Sequence, residues 1–410
     1  MFHFRDAALE CDSMATIQGH VHPDFRPVAD ALEKQLRRDA AGSGAAVCIY
    51  HRGEKVVDIW AGARNPEGEL WEESTMALSF STTKGVMSTL LHTLVDRGVL
   101  DYDDPVAKYW PEFAQGGKEA ITIRQVLCHE AGLYSIRGLI DHAERMLDWE
   151  YMTTALAAST PARAPRRGKS GYHGITYGWL VGEILRRATG RTLAELVRTE
   201  LSEPLALDGL YIGAPVHERA RLAELVRPRE RAGEATVWQK IGFWILRGVT
   251  AVIGLDPRRT LDALLPRGGQ DVFFSPRVLD AEIPAFNGVF TARSLARMYA
   301  MLAGGGELEG KRFLSSATLK RATEVHSRRL DAVVGFPMRW RLGYHLVGTS
   351  RGILPTAFGH FGYGGSGAWA DPDRNLSVAM TLNRVAGTPF GDMRMVRIGG
   401  IASRCAERRR

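Results

Sequence analysis

Residues 45–62 read AAVCIYHRGEKVVDIWAG. Two β-type apolar runs, AAVCIY and KVVDIWAG, flank His51-Arg52-Gly53-Glu54. A short gap carrying glycine between such runs predicts a hairpin. On its N-terminal side, residues 28–40 place Val28, Leu32 and Leu36 at helical spacing. Near the far end, GAWADPDRNLSVAMTLN (367–383) reads as a second hairpin turning at Asp371-Pro372-Asp373, and a last helix is predicted from about Met393 to Arg404. From Trp71 to about residue 285 the pattern changes to helices and loops. TARSLARMYAML (291–302) is a helix with Thr291 as its N-cap and Gly304 just past its end.

Strands at both ends and helices in the middle predict an α+β fold. The two ends are expected to share one antiparallel sheet with the terminal helices packed on it. The expected boundaries are 20–75 with 286–410 for the sheet lobe and 76–285 for a mostly helical lobe, within a single unit spanning 1–410. A cleft between the lobes is where a small-molecule site is expected.

Composition sets limits on partners. The chain has 410 residues, 45% hydrophobic and 24% charged, an ordinary globular balance. The net charge of +7 is spread out, and its densest stretch, Arg163, Arg166, Arg167 and Lys169, has no interleaved aromatics. That pattern predicts a solvated surface and no nucleic-acid partner. Cys11, Cys48, Cys128 and Cys405 show no ligand-like spacing, so free thiols in a reducing compartment are expected. The first twenty residues have no apolar h-region, and Met14 is an alternative start. The longest apolar run, Ile241 to Leu255, is short for a bilayer and contains Arg247. A cytoplasmic location without a transmembrane segment is therefore expected.

SFSTTKG (79–85) holds Ser81 and Lys84 at S-x-x-K spacing. On a helix these side chains lie one turn apart on one face. A serine hydroxyl needs a neighbour to take its proton, and a lysine can do so only when burial or nearby positive charge lowers its pKa. Ser81 in the first turn would also aim its own N–H at a developing oxyanion. In GYHGITYGWLVGEIL (171–185), Tyr172 precedes an amphipathic helix and can reach into a cleft to relay a proton. In FGHFGYGGSG (358–367), Gly362, Gly364 and Gly365 allow a strand edge to approach a ligand closely. His360 is a polar group at that edge, and the N–H of Tyr363 is the candidate second oxyanion donor.

In this order and context the three elements resemble the serine β-lactamase and D,D-peptidase superfamily, most of all its β-lactamase-like carboxylesterases, family VIII. The supporting text includes FSTTKGVMSTLLHTLVDRGVLDYDDPVAKYWPEF (80–113), ITIRQVLCHEAGL (121–133) and FNGVFTARSLARMYAMLAGGGELEG (286–310). The likeness runs over about residues 20 to 405. It implies a β-lactamase/transpeptidase-like fold, Ser81 as nucleophile, Lys84 as the first-motif lysine, and Tyr172 as the tyrosine of a Y-x-N or Y-S-x motif. His360-Phe361-Gly362 falls where penicillin-binding relatives carry K-T-G. The N–H groups of Ser81 and Tyr363 would form the oxyanion hole. His129 fits a position read as structural.

Two departures bear on substrate. Tyr172-His173-Gly174 lacks the usual Asn, and His360-Phe361 replaces Lys-Thr. Phe361 cannot donate a hydrogen bond. Uncharged carboxylic esters of short to medium acyl chain are therefore expected, with a β-lactamase, a D-aminopeptidase or D,D-peptidase, or a non-catalytic binding protein of the same fold as alternatives. Which of Lys84 and Tyr172 is the base stays open at this level.

Other motifs lead nowhere. There is no G-x-S-x-G, and Ser366 precedes a strand rather than a helix. Gly168-Lys169-Ser170 lacks the first glycine of a P-loop. His20-Val21-His22-Pro23-Asp24 is followed by Phe25 where a metal site needs His, so no metal and no cofactor are expected. Phe243, Trp244 and Leu246, in the apolar run, are expected to bind or cover the acyl chain. Plain core packing, a subunit interface, or weak contact with a membrane surface is the alternative use of that run.

Overall fold

The computed structural model describes residues 16–39, 42–162, 170–227, 256–385 and 392–409. The basic stretch 163–169 and the apolar run 241–255, with Phe243, Trp244 and Leu246, lie outside the described residues. In chain order, the strands of the two main sheets are β1 (Gln18–Val21), β2 (Gly44–His51), β3 (Glu54–Gly62), β4 (Ala77–Leu78), β5 (Leu210–Ile212), β6 (Gly288–Phe290), β7 (His345–Thr349), β8 (Gly352–Phe361), β9 (Gly367–Asp371) and β10 (Leu376–Leu382). The helices that matter for the site are α1 (Arg26–Leu36), α2 (Thr82–Asp96), α3 (Tyr177–Thr189), α4 (Ala292–Ala303) and α5 (Arg394–Arg408).

The large sheet has the order β1-β3-β2-β10-β9-β8-β7 and is antiparallel throughout. Its centre is the pairing of β2 with β10, from His51 opposite Leu376 to Ala45 opposite Leu382. Val47 and Ile49 pack with Val378 and Met380 against α1 and α5, while Cys48 and Ala379 face the opposite core with Leu295 and Tyr299 of α4. Burial on both faces explains why AAVCIY is a continuous apolar run and not an alternating one. Asn383 closes this join. Its amide accepts from Gly44 N (2.9 Å) and donates to Gly42 O (2.9 Å) and Ala63 O (3.2 Å).

α2 is buried along nearly its whole length. Three of its polar residues are matched by partners from other elements. Ser88 Oγ meets Tyr177 OH at 2.7 Å, Thr89 Oγ1 meets Tyr344 OH at 2.8 Å, and His92 Nδ1 meets Tyr102 OH at 2.8 Å. A helix with polar groups all round can be interior only when those groups are paired in this way.

The architecture is the β-lactamase/transpeptidase-like α+β fold. Several local elements differ from the sequence reading. Residues 18–21 form an edge strand on β3 that the sequence reading did not include, and its short polar composition hides it. β7 and β8 also escape sequence patterning, because the β7–β8 register shifts between Leu354 and Phe358, around Pro355. The stretch read as helix and loop contributes β4 and β5 to a three-stranded sheet with β6. The first helix ends at Leu36, and the last runs on to Arg408. Thr291 caps α4, and Gly304 ends it.

No helix among the described residues is long and apolar enough to cross a membrane. Cys48, Cys128 and Cys405 are free and buried. Replacing Asn383 with Ala should destabilise the protein by about 2–4 kcal/mol, because it leaves buried backbone groups of two strands unpaired. Urea unfolding checks this, and a loss below about 0.5 kcal/mol would show that the sheet centre does not need the amide.

Candidate active site

Ser81 stands at the N-cap of α2, yet its side chain makes no capping bond. A serine there ordinarily spends its oxygen on the helix N–H groups. This one is left free for chemistry. The residue before it, Phe80, has φ of +46°, a left-handed conformation that is strained for an aromatic residue. The segment is held from outside: β4 pairs with β6, Ser79 N donates to Gly288 O (2.9 Å), and Gly288 N donates to Thr83 Oγ1 (3.0 Å).

Two side chains meet the Ser81 oxygen. Lys84 Nζ lies 2.9 Å from it and Tyr172 OH lies 3.0 Å from it. Lys84 is fully buried and also donates to Ala285 O (2.8 Å). Burial holds its pKa well below the ordinary 10.5, with no neighbouring charge among the causes. The uncharged amine is the form able to accept a proton. Its nitrogen also sits 5.2 Å from the Tyr172 ring centre. Burial raises the Tyr172 pKa, so the phenol keeps its proton.

Aromatic groups pack around Tyr172. Trp340 stacks on it at 5.4 Å and 17°, and His129 meets it edge-on at 5.1 Å. His173 Nδ1 lies 3.3 Å from His129 Nδ1, and His173 Nε2 accepts from Leu133 N (3.0 Å). His345 Nε2 accepts from Phe361 N (3.1 Å), while its Nδ1 lies 2.7 Å from Leu346 O. Desolvation lowers the pKa of His173 to about 3 and of His345 to about 4, and pushes His129 and His360 well below 6.5. The imidazoles are therefore neutral near pH 7, which avoids crowding positive charge around Lys84.

The described residues enclose a cavity of about 580 Å³ with Ser81 and Tyr172 in its wall. Phe80, Ile175, Leu264, Phe273, Phe286 and Met338 make it largely apolar. His360, Phe361, Gly362 and Tyr363 line the same cavity. Neither the Ser81 N–H nor the Tyr363 N–H has an acceptor among the described residues, as the expected oxyanion donors require. Gly362 is needed where it stands, since a Cβ would fall 2.3 Å from Ser79 O. At Gly174 a Cβ would fall 2.1 Å from Leu264 Cδ2, so a leucine fills the space beside the position of the absent Asn. No arginine or lysine among the described residues lines the cavity.

Sequence reasoning missed Trp340, His345, Asp331 and the Ala285 carbonyl. A carbonyl has no side-chain signature, and the other three act through contacts across long sequence separations. Leu264 is apolar in the sequence like many others, and only the gap at Gly174 signals it.

A family model described as Beta-lactamase matches residues 29–401. The Esterase/beta-lactamase LipL of Mycobacterium tuberculosis is 37% identical over 380 residues, covering 91% of this chain and 84% of that protein. A penicillin-binding protein homologue from Caulobacter crescentus has a solved structure with TM-score 0.80 and 35% identity, covering 95% of this chain and 100% of that one. A family VIII carboxylesterase structure matches with TM-score 0.78 and 32% identity, over 95% of this chain and 100% of that one.

The neutral amine beside Ser81 predicts a pH dependence. As pH falls through the Lys84 pKa the amine becomes an ammonium and can no longer accept the Ser81 proton. Labelling of Ser81 by a fluorophosphonate should therefore slow toward acid, with a midpoint well below 10.5. Lys84→Ala should abolish that limb. Intact-protein mass spectrometry across pH checks this, with Ser81→Ala as the unlabelled control, and a midpoint near 10.5 would rule out a buried neutral amine.

Proposed function

The chain belongs to the beta-lactamase family and is a hydrolase of that family, and we propose that it cleaves carboxylic esters of short to medium acyl chain through an acyl-enzyme on Ser81. The observation that carries this reading is the convergence of Lys84 Nζ and Tyr172 OH on one serine oxygen in the wall of a largely apolar cavity. Ser81 Oγ attacks the ester carbonyl and forms the tetrahedral intermediate, while its proton passes to Lys84. The N–H groups of Ser81 and Tyr363 hold the oxyanion. Tyr172 relays a proton to the departing alkoxide, the C–O bond breaks and the alcohol leaves. Water then attacks the acyl-enzyme, giving up its proton to the same pair, and releases the carboxylic acid and free Ser81.

The phenol of Tyr172 keeps its proton, which supports Lys84 as the first base and Tyr172 as the relay. Substrate choice is argued from the wall. His360, Phe361 and Leu264 offer no cation and little hydrogen bonding to a substrate carboxylate, and they suit an apolar acyl group. Phe336 and Met393, roughly half-exposed, also line the cavity and extend its apolar surface toward solvent. The name of the mycobacterial relative couples esterase with beta-lactamase, which favours slow β-lactam hydrolysis on the same Ser81 as a second reading.

Lys84→Ala and Tyr172→Phe should each lower kcat on a nitrophenyl ester by about 10²-fold or more, since proton transfer by a placed side chain is worth that much. The double variant should lose far less than the product of the two, because the groups act as a unit. Steady-state kinetics on excess ester measure this, and near-wild-type kcat in either single variant removes that residue from the mechanism.

Nitrocefin tests the substrate reading. Its kcat/KM should fall orders of magnitude below that for butanoate or hexanoate esters. Efficient turnover of penicillins or cephalosporins would reverse the order of the two readings.

A further inference from the structure

We propose that Asp331 is the positioning residue of Tyr172, fixing the tyrosine through its backbone and through the face of its ring at once. The inference rests on the proposed part of Tyr172 in proton transfer. Asp331 is fully buried and lies outside every motif that marks the site. Its Oδ1 accepts from Tyr172 N (3.0 Å), Val333 N (2.9 Å) and Val334 N (3.1 Å). Its Oδ2 accepts from Trp340 Nε1 (2.9 Å). Trp340 in turn stacks on the Tyr172 ring. Ala332 N donates to Ser170 O (2.9 Å), so the 331–334 turn is stitched to the segment that carries Tyr172.

A local explanation accounts for half of this. An aspartate that accepts from the N–H groups two and three residues on is closing its own turn. Asn would close that turn equally well through one oxygen. The other two bonds leave the turn, and both end on Tyr172 or on the ring that covers it. The Trp340 bond takes the second acceptor oxygen, which Asn lacks. The carboxylate has only neutral donors and no cation among the described residues, an expensive arrangement for a buried charge. Burial is the main reason the Tyr172 phenol keeps its proton; the Ser81 hydrogen bond works against it, and the charge of Asp331 adds to it in smaller measure.

The test is a double-mutant cycle on a short-acyl nitrophenyl ester. Asp331→Asn keeps the three bonds to Oδ1 and turns an NH₂ toward the indole N–H. It should lower kcat by about 10- to 100-fold with KM within about twofold, as expected when a reacting group is misplaced. In a Tyr172→Phe background the same change should cost less than about threefold. Trp340→Phe removes the facing donor and keeps a ring, so adding it to Asp331→Asn should restore kcat at least about threefold. If Asp331→Asn fails to fold by circular dichroism, Trp340→Phe alone serves: it should lower kcat in the parent and not in the Tyr172→Phe background. Equal losses in both backgrounds overturn the proposal and make Asp331 a general structural residue. Unchanged kcat in Asp331→Asn overturns it as well. Near-wild-type kcat in Tyr172→Phe is a separate outcome, which removes Tyr172 from the mechanism and the role of Asp331 with it.

Discussion

A primary amine sealed away from water, with a serine oxygen and a backbone carbonyl as its near partners, constrains everything around it. Lys84 can be there only as the neutral amine or at a large desolvation cost. Its helix must be interior, so Ser88, Thr89 and His92 must find partners on other elements. The nearby imidazoles must be uncharged, so each is dried or bonded in its neutral form. The segment before Ser81 must not drift, so a three-stranded sheet clamps it and Phe80 accepts a left-handed backbone. A long run of paired polar groups thus surrounds one buried amine.

Much of this was legible because it is local. The hairpin at 45–62, the cap at Thr291 and the one-turn spacing of Ser81 and Lys84 are set by neighbouring residues, and the structure has them at those places. Tyr172 carried only its place before a helix, and its contact with Ser81 spans 91 positions. The resemblance to a family, not spacing, brought the two together on paper. The elements that escaped are those whose logic is tertiary. β8 carries a proline and a register shift that erase its alternation, and β4 is two residues long. Asp331 has no pattern at all, since an aspartate in a turn is commonplace and its other bonds reach Tyr172 and Trp340.

The wall of the cavity carries two local features that bear on the proposed substrate. Removing a side chain at Gly174 leaves a space that Leu264 fills from a separate helix. Phe361 occupies a position where a hydroxyl-bearing residue would offer a hydrogen bond. Both positions present apolar surface to the cavity that Ser81 also lines.

The pairing of β2 with β10 reaches beyond the finished molecule. Gly44 and Asn383 touch across 339 positions of chain. On the ribosome, the β2–β3 hairpin emerges early with only β1 to pair with, and the other edge of β2 has no partner strand until almost the whole chain has been made. Non-local closure of this kind slows folding and leaves sticky strand edges exposed meanwhile. Newly made chains should therefore lean on chaperones that shield extended apolar segments, and yield in a foreign host should depend more on synthesis rate and temperature than on the stability of the folded enzyme.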